Sequence, residues 1–232
     1  MKRFYERVGV TRLDGGHGVE LDGRPIKTPK KASLCLGSRT LAEAIAEEWR
    51  RQGEDIRPDT MPMLRLANSA IDLVGADRRR IVDNLAAFGG SDMLCYRATG
   101  PEDLVRRQRA LWSPWLTWAE REHGAHLRVT DGVRHIDQDP SALVALAAVV
   151  ERNDDMELAA LNDLVTIANS LLLALAVSAG ALPVTEAWAA ARLDEDYQAE
   201  RWGLDGEAEA RSEALRAEFE QAARFLELHR AG

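Results

Sequence analysis

Cysteine, positive charge and long uninterrupted hydrophobic runs are all scarce in this sequence, and each shortage narrows what the protein can be. The 232 residues include two cysteines, Cys35 in "SLCLG" and Cys95 in "MLCYR". Their apolar surroundings read as buried free thiols in a reducing compartment, with one disulfide as the alternative. Lys and Arg number 30 against 38 Asp and Glu, a net charge of −8. That balance argues against nucleic acid or an anionic membrane as the main partner, because both need a cationic surplus. The basic clusters Arg78-Arg79-Arg80 and Arg106-Arg107 read as solvated helix faces. The start, "MKRFYERVGV", has no apolar run of signal-peptide length, which gives the expectation of a cytoplasmic protein. The most apolar stretch, "LVTIANSLLLALAVSAGALP", is interrupted by Thr166, Asn169, Ser170 and Ser178 and closed by Gly180 and Pro183. It is expected to be a buried central helix rather than a membrane span.

Catalytic signatures are equally scarce. No stretch supplies the G-x-x-x-x-G-K-[ST] cradle of a P-loop, and "DGGHG" and "FGGSD" lack the strand-loop-helix setting of a dinucleotide site and read as turns. There is no G-x-S-x-G elbow, and neither cysteine lies in C-x-x-C. His123 and His126 beside Glu122 come nearest to a metal pattern, but Gly124 falls between them and is expected to end the helix. His17, His135 and His229 stand alone in the sequence and read as surface residues. No cofactor, metal or nucleotide is expected, and the chain reads as a non-enzyme.

What is present is a change of period along the chain. "RVGVTRLDGGHGVELDGRPIKTP" alternates as strands, with turns at Asp14-Gly15-Gly16 and Asp22-Gly23, and predicts a three-stranded meander. "ASLCLG" is a candidate fourth strand, and Thr40 with Glu43 makes a capping-box pattern before a helix. From "MPMLRLANSAIDLVG" the spacing is helical: Leu66, Ala67, Ala70, Ile71 and Val74 form one stripe, then Ile81, Val82, Leu85 and Phe88 another. Pro101, Asp139-Pro140 and Asp155 are helix starts, while Pro114 marks either a kink or a junction of two helices. Thr185 starts a helix that Gly203 ends, and Leu215, Phe219, Ala222 and Leu226 mark the seam of a last amphipathic helix. The fold class is therefore α+β: a small β-rich domain over residues 1–75, followed by a larger, mainly helical domain over residues 76–232.

On one continuous helix Trp188, Glu195 and Trp202, spaced by heptads, would share a stripe, because a heptad drifts only about 20°. A carboxylate between two large apolar rings has three readings. Glu195 is half exposed or paired with an arginine from a neighbouring helix; or it is a general acid with a raised pKa, which needs a second acid or base nearby; or the stripe is an interaction surface, where tryptophans give area and polar groups give direction. Between Arg192 and Gly232 there are eleven Asp and Glu against six Arg, which suits a basic or mixed-charge protein partner.

Taken in order, "LDGRPIKTPKK", "MPMLRLANSAID", "SDMLCYRA", "RRQRALWSPWLTWA" and "EDYQAERWGLDGEAE" resemble the family of F-type ATP synthase assembly chaperones that bind the free α subunit of the catalytic head. The resemblance spans nearly the whole chain. It implies an N-terminal α+β domain with a larger helical domain, and a chaperone that shields the β-facing surface of α until β displaces it. It implies that the family's functional acidic position falls on Glu195, with Asp194 and Asp196 as the alternatives in register and Gln198, Trp202 and Asp205 as motif neighbours; Trp188 completes the candidate partner-binding set. The start of the chain, without a transit peptide, is expected for a bacterial cytoplasmic member, mitochondrial members working in the matrix. "LDGRPIKTP" and "RLANSAID" read as determinants of the fold, with Asn68 a buried polar group satisfied by backbone. The competing reading is a metal- or carboxylate-dependent enzyme using Glu195 in a cleft of the helical domain.

Overall fold

The computed structural model describes residues 1–203 and 206–231. In chain order the elements are β1 (Val8–Leu13), β2 (Gly16–Leu21), β3 (Arg24–Pro25), α1 (Arg39–Arg50), α2 (Pro62–Ser69), α3 (Arg78–Ala87), β4 (Tyr96–Arg97), α4 (Glu102–His123), β5 (Thr130–Asp131), α5 (Pro140–Glu151), α6 (Asp155–Ala168), α7 (Leu171–Ser178), α8 (Val184–Ala191), α9 (Leu193–Trp202) and α10 (Gly206–Arg230). They form two compact units: Met1–Arg78 with Asp154–Ala160 and the chain from Gln221 on, and Arg79–Asn153 with Leu161–Glu220. The first unit thus takes in two segments from beyond residue 75. Apolar spacing tells that such a segment buries a face but is silent on what covers it.

In the first unit β1, β2 and β3 make the antiparallel meander. Asp22 and Gly23 both have positive φ, 50° and 78°, as a two-residue hairpin turn requires. The Asp22 carboxylate also accepts from the backbone N–H groups of Arg7 and Glu6, and these bonds, that of Arg7 foremost, hold its pKa below the usual carboxylate range. The segment expected as a fourth strand makes only isolated bridges, His17 with Leu36 and Lys27 with Ser33. The chain turns at once into α1, whose cap is Ser38 rather than the expected Thr40: the Ser38 hydroxyl accepts from Leu41 N at 3.2 Å, while Thr40 is already inside the helix. Helix α2 has no cap of its own. Glu48 of α1 serves instead, accepting from Met63 N at 2.7 Å and Leu64 N at 2.9 Å, which satisfies two of the open donors at that helix start. The stripe expected to continue through Val74 passes into a π-helical turn at Ala70–Val74.

Tyr5, Leu21, Ile56 and Met61 form a core cluster, with Trp49 and Leu64 packed against it. The Tyr5 hydroxyl donates to Trp49 O at 2.6 Å. The two segments read as fold determinants meet at Asp72, whose carboxylate accepts from the Thr28 hydroxyl at 2.6 Å and from Lys30 N at 2.9 Å. Asn68, expected to be satisfied by backbone, has an Oδ1 atom that is buried with no partner. His229, expected on the surface, has its side chain only 14% exposed, with Nε2 2.7 Å from Asp154 Oδ2. Asp154, one residue before the expected Asp155, caps α6 by accepting from Glu157 N.

In the second unit the apolar stretch expected as one helix is two. Asn169 adopts φ 50°, a conformation Asn tolerates better than most residues, and Ser170 caps α7 by accepting from Leu173 N. Leu171 to Ala176 are all buried. Asp92 is fully buried and accepts from Leu94 N, Leu172 N and the Ser170 hydroxyl. Helix α4 continues unbroken past Pro114 to Gly124, at φ 67°. From α4, Trp112 donates to Ala190 O at 2.8 Å. Both cysteines are free; Cys95 is buried and Cys35 half-buried. No helix among the described residues is long and apolar enough to cross a membrane.

Candidate functional site

The helix expected from Thr185 to Gly203 breaks at Arg192, where φ is −101° and ψ 4°. Trp188 therefore lies on α8 and Glu195, Gln198 and Trp202 on α9, so the single stripe does not form. Trp188 is 9% exposed, and its ring centroid lies 5.9 Å from that of Phe219. It is a core residue.

Helix α9 is held by one side. Leu193 and Tyr197 are buried, and four polar links fasten the helix to α4. Gln108 donates to Asp194 Oδ1 at 2.7 Å, and Arg107 donates to Glu200 at 2.8 Å. The Tyr197 hydroxyl donates to one oxygen of Asp103 at 2.7 Å and Arg201 to the other at 2.8 Å. These donors keep the Asp103 pKa low, Tyr197 foremost. Burial, aided by the Asp103 carboxylate, pushes the Tyr197 hydroxyl up. At 100° per residue, Glu195, Gln198 and Trp202 fall within about 60° of one another on the opposite side. All three are exposed, and Trp202 is 76% exposed.

Glu195 Oε1 lies 3.1 Å from Arg192 Nη1, and the Glu195 side chain is half exposed. Its partner is the residue at the helix break rather than one from a neighbouring helix. An exposed, ion-paired carboxylate lacks the desolvated cleft that a general acid needs. The acid beside it, Asp196, has its pKa raised by burial, but no base is hydrogen-bonded to either group among the described residues. Asp205, the remaining candidate, lies outside the described residues. His126 pairs with Glu120 at 3.1 Å, and His123 meets Trp118 edge-on at 4.8 Å. Among the described residues no three of His, Cys, Asp and Glu are grouped to hold a metal ion.

The arrangement sets one large exposed aromatic ring on the same side of α9 as a carboxylate and an amide, while the other side of the helix is hydrogen-bonded to α4. Large aromatic rings beside a few polar groups are the composition common to protein contact surfaces. The residues that fasten α9, Asp103, Gln108, Tyr197 and Arg201, were not singled out from sequence. Their signal was faint: Asp103 reads as an ordinary acid at a helix start, and nothing local says that it reaches α9.

Comparison with known proteins adds an independent line. Residues 2–120 match the model of the ATP12 chaperone protein family. The mitochondrial protein atp12 of Schizosaccharomyces pombe is 25% identical over 214 residues, which span 87% of this chain and 74% of that protein. The crystal structure of Atp12 from Paracoccus denitrificans superposes with a TM-score of 0.94 at 45% identity, covering 98% of each chain. A crystal structure from Agrobacterium tumefaciens superposes with a TM-score of 0.93 at 41% identity, over 97% of this chain and 85% of that one.

Proposed function

Since this chain belongs to the ATP12 chaperone family, a family named for chaperoning and not for catalysis, we propose that it assists assembly of the F-type ATP synthase by binding the free α subunit of the catalytic head through the outer face of α9. The observation that carries the choice of surface is Trp202, a large ring left 76% exposed on a helix fastened along its other side. An aromatic side chain held out on a rigid element loses little entropy on binding and gives much contact area, the character of an interface hot spot. Glu195 and Gln198 flank it as directional polar contacts, and the acidic balance of the segment favours a basic or mixed-charge partner surface. Binding here covers the apolar surface of α that β later occupies, and it is weaker than the α–β contact that replaces it.

The test is size-exclusion chromatography with purified α subunit, followed by addition of β. A complex with α that β dissolves is expected. Trp202→Ala should weaken that complex about tenfold or more, the usual cost of truncating an aromatic anchor, and Glu195→Gln should weaken it less. If Trp202→Ala binds α as tightly as the parent, the α9 face is the wrong surface; if the parent does not bind α at all, the partner is wrong.

A further inference from the structure

Two of the stretches that carry the resemblance, "SDMLCYRA" and "RRQRALWSPWLTWA", meet inside the second unit at a residue that the α9 surface does not include. Arg97 stands at the end of β4, where it pairs with Asp131 of β5 and its carbonyl accepts from Gly132 N at 2.6 Å. Its side chain reaches α4. Nη1 donates to Gln108 O at 2.7 Å, Nη2 donates to the Ser113 hydroxyl at 3.5 Å, and the guanidinium carbon lies 5.2 Å from the centre of the Trp112 ring. The next residue, Ala98, donates its N–H to Gln108 Oε1 at 2.8 Å.

Arg97 is only 9% exposed, and its hydrogen bonds go to a carbonyl and a hydroxyl rather than to a carboxylate. Burial pulls its pKa below the usual arginine value, while the charge of Asp194 acts the other way. A buried cation without a paired carboxylate carries a desolvation cost, and an apolar side chain of similar length would fill the same space without it. Stability alone therefore does not account for the charge.

The two α4 residues beneath it do have a further task. Gln108 and Trp112, one turn apart and both 1% exposed, hold the two sides of the break at Arg192. Trp112 Nε1 donates to Ala190 O of α8 at 2.8 Å, and Gln108 Nε2 donates to Asp194 Oδ1 in the first turn of α9 at 2.7 Å. The direction in which α9 leaves the break thus depends on how these two side chains are set, and Arg97 touches both residues. A planar guanidinium can bond to two acceptors while stacked on a ring; an ammonium cannot.

We propose that Arg97 is a positioning residue for the α9 surface: anchored through β5, it fixes Gln108 and Trp112, which fix Asp194 and Ala190 on either side of the break and so direct Glu195, Gln198 and Trp202 outward. For its effect on binding the inference rests on the α9 reading.

Backbone hydrogen exchange of the full chain, followed by mass spectrometry with no α subunit present, compares the parent with Arg97→Met. Exchange across Leu193–Trp202 is expected to accelerate about tenfold while exchange across α7 stays as in the parent. The urea midpoint should hold or rise, since an apolar side chain replaces a buried charge, and the complex with α should weaken about tenfold. A residue that only supports the fold would do the reverse, lowering the midpoint and speeding exchange in α7 as well, while the folded protein binds α normally. That result, or unchanged exchange in α9, would overturn the proposal. Should Arg97→Met fail to fold, Arg97→Lys decides: it keeps the charge without the fork, and α9 alone should exchange about threefold faster. If the parent binds no α, the α9 reading fails, while exchange still settles whether Arg97 positions the helix.

Discussion

Asp92, fully buried, and His229, with its side chain 14% exposed, are titratable residues that both favour the folded state more at low pH than at high. Burial pushes the Asp92 carboxyl up to about 6, although the N–H groups of Leu172 and Leu94 and the Ser170 hydroxyl pull the other way. Its folded pKa lies above its unfolded value, so its contribution is most favourable below about pH 4 and is lost as pH rises through about 6. Thermal denaturation of the parent and Asp92→Asn from about pH 4 to about pH 7 should show the parent losing ground to the variant across that window; parallel curves would mean that Asp92 stays ionised throughout. His229 is also raised, because Asp154 accepts its proton. Its stabilisation is fully present below about pH 6.5 and disappears as pH climbs through the higher folded pKa. The deficit of His229→Gln against the parent should therefore shrink between about pH 6 and about pH 9. Neither role was legible beforehand. Asp92 sits in "SDML" and His229 in "ELHR", and nothing local reports that their partners are Ser170 and Asp154.

Helix α9 is placed by four polar links to α4 together with its buried Leu193 and Tyr197. Asp103→Ala removes the acceptor shared by Tyr197 and Arg201 and should lower the urea midpoint, because two of the polar links between α9 and α4 are then lost. Under the proposed function it should also weaken the α-subunit complex without touching the partner. Trp202→Ala should move stability by no more than about 0.5 kcal/mol and yet weaken that complex more. Elements whose ends carry their own chemistry were legible: the Asp22-Gly23 turn, the Asp139-Pro140 start and the Gly124 stop. The break at Arg192 was not, since "WAAARLDED" contains neither Gly nor Pro. Beside the break Arg192 lies over Trp188 at 5.8 Å, and just after it Asp194 meets Gln108 of α4, a partner that nothing local names. Asn169 was the more readable of the two breaks, being a residue type that accepts positive φ.

Across the whole molecule, the first unit is assembled from both ends of the sequence. The Ser38 hydroxyl donates to Leu228 O at 2.6 Å, Arg230 meets Glu157 at 2.7 Å, and Phe225 and Leu226 are buried. Phe225→Ala should cost about 3–5 kcal/mol, read by urea denaturation, while the exposed neighbour Glu227→Ala should stay within about 0.5 kcal/mol. The fold class was legible because strand and helix periods are local, as was the amphipathic seam of α10. The joining of α10 to a unit begun some two hundred residues earlier was not, because periodicity names a face and never its partner. This arrangement has a consequence for how the chain is made. On the ribosome the sheet emerges long before Phe225 and Leu226, which belong to the same unit, so that unit waits for them through the synthesis of all that lies between. A nascent chain stalled before residue 220 would hold open the apolar ground that Phe225 and Leu226 otherwise occupy, and until the missing residues were added it would be prone to stick to other chains through that ground.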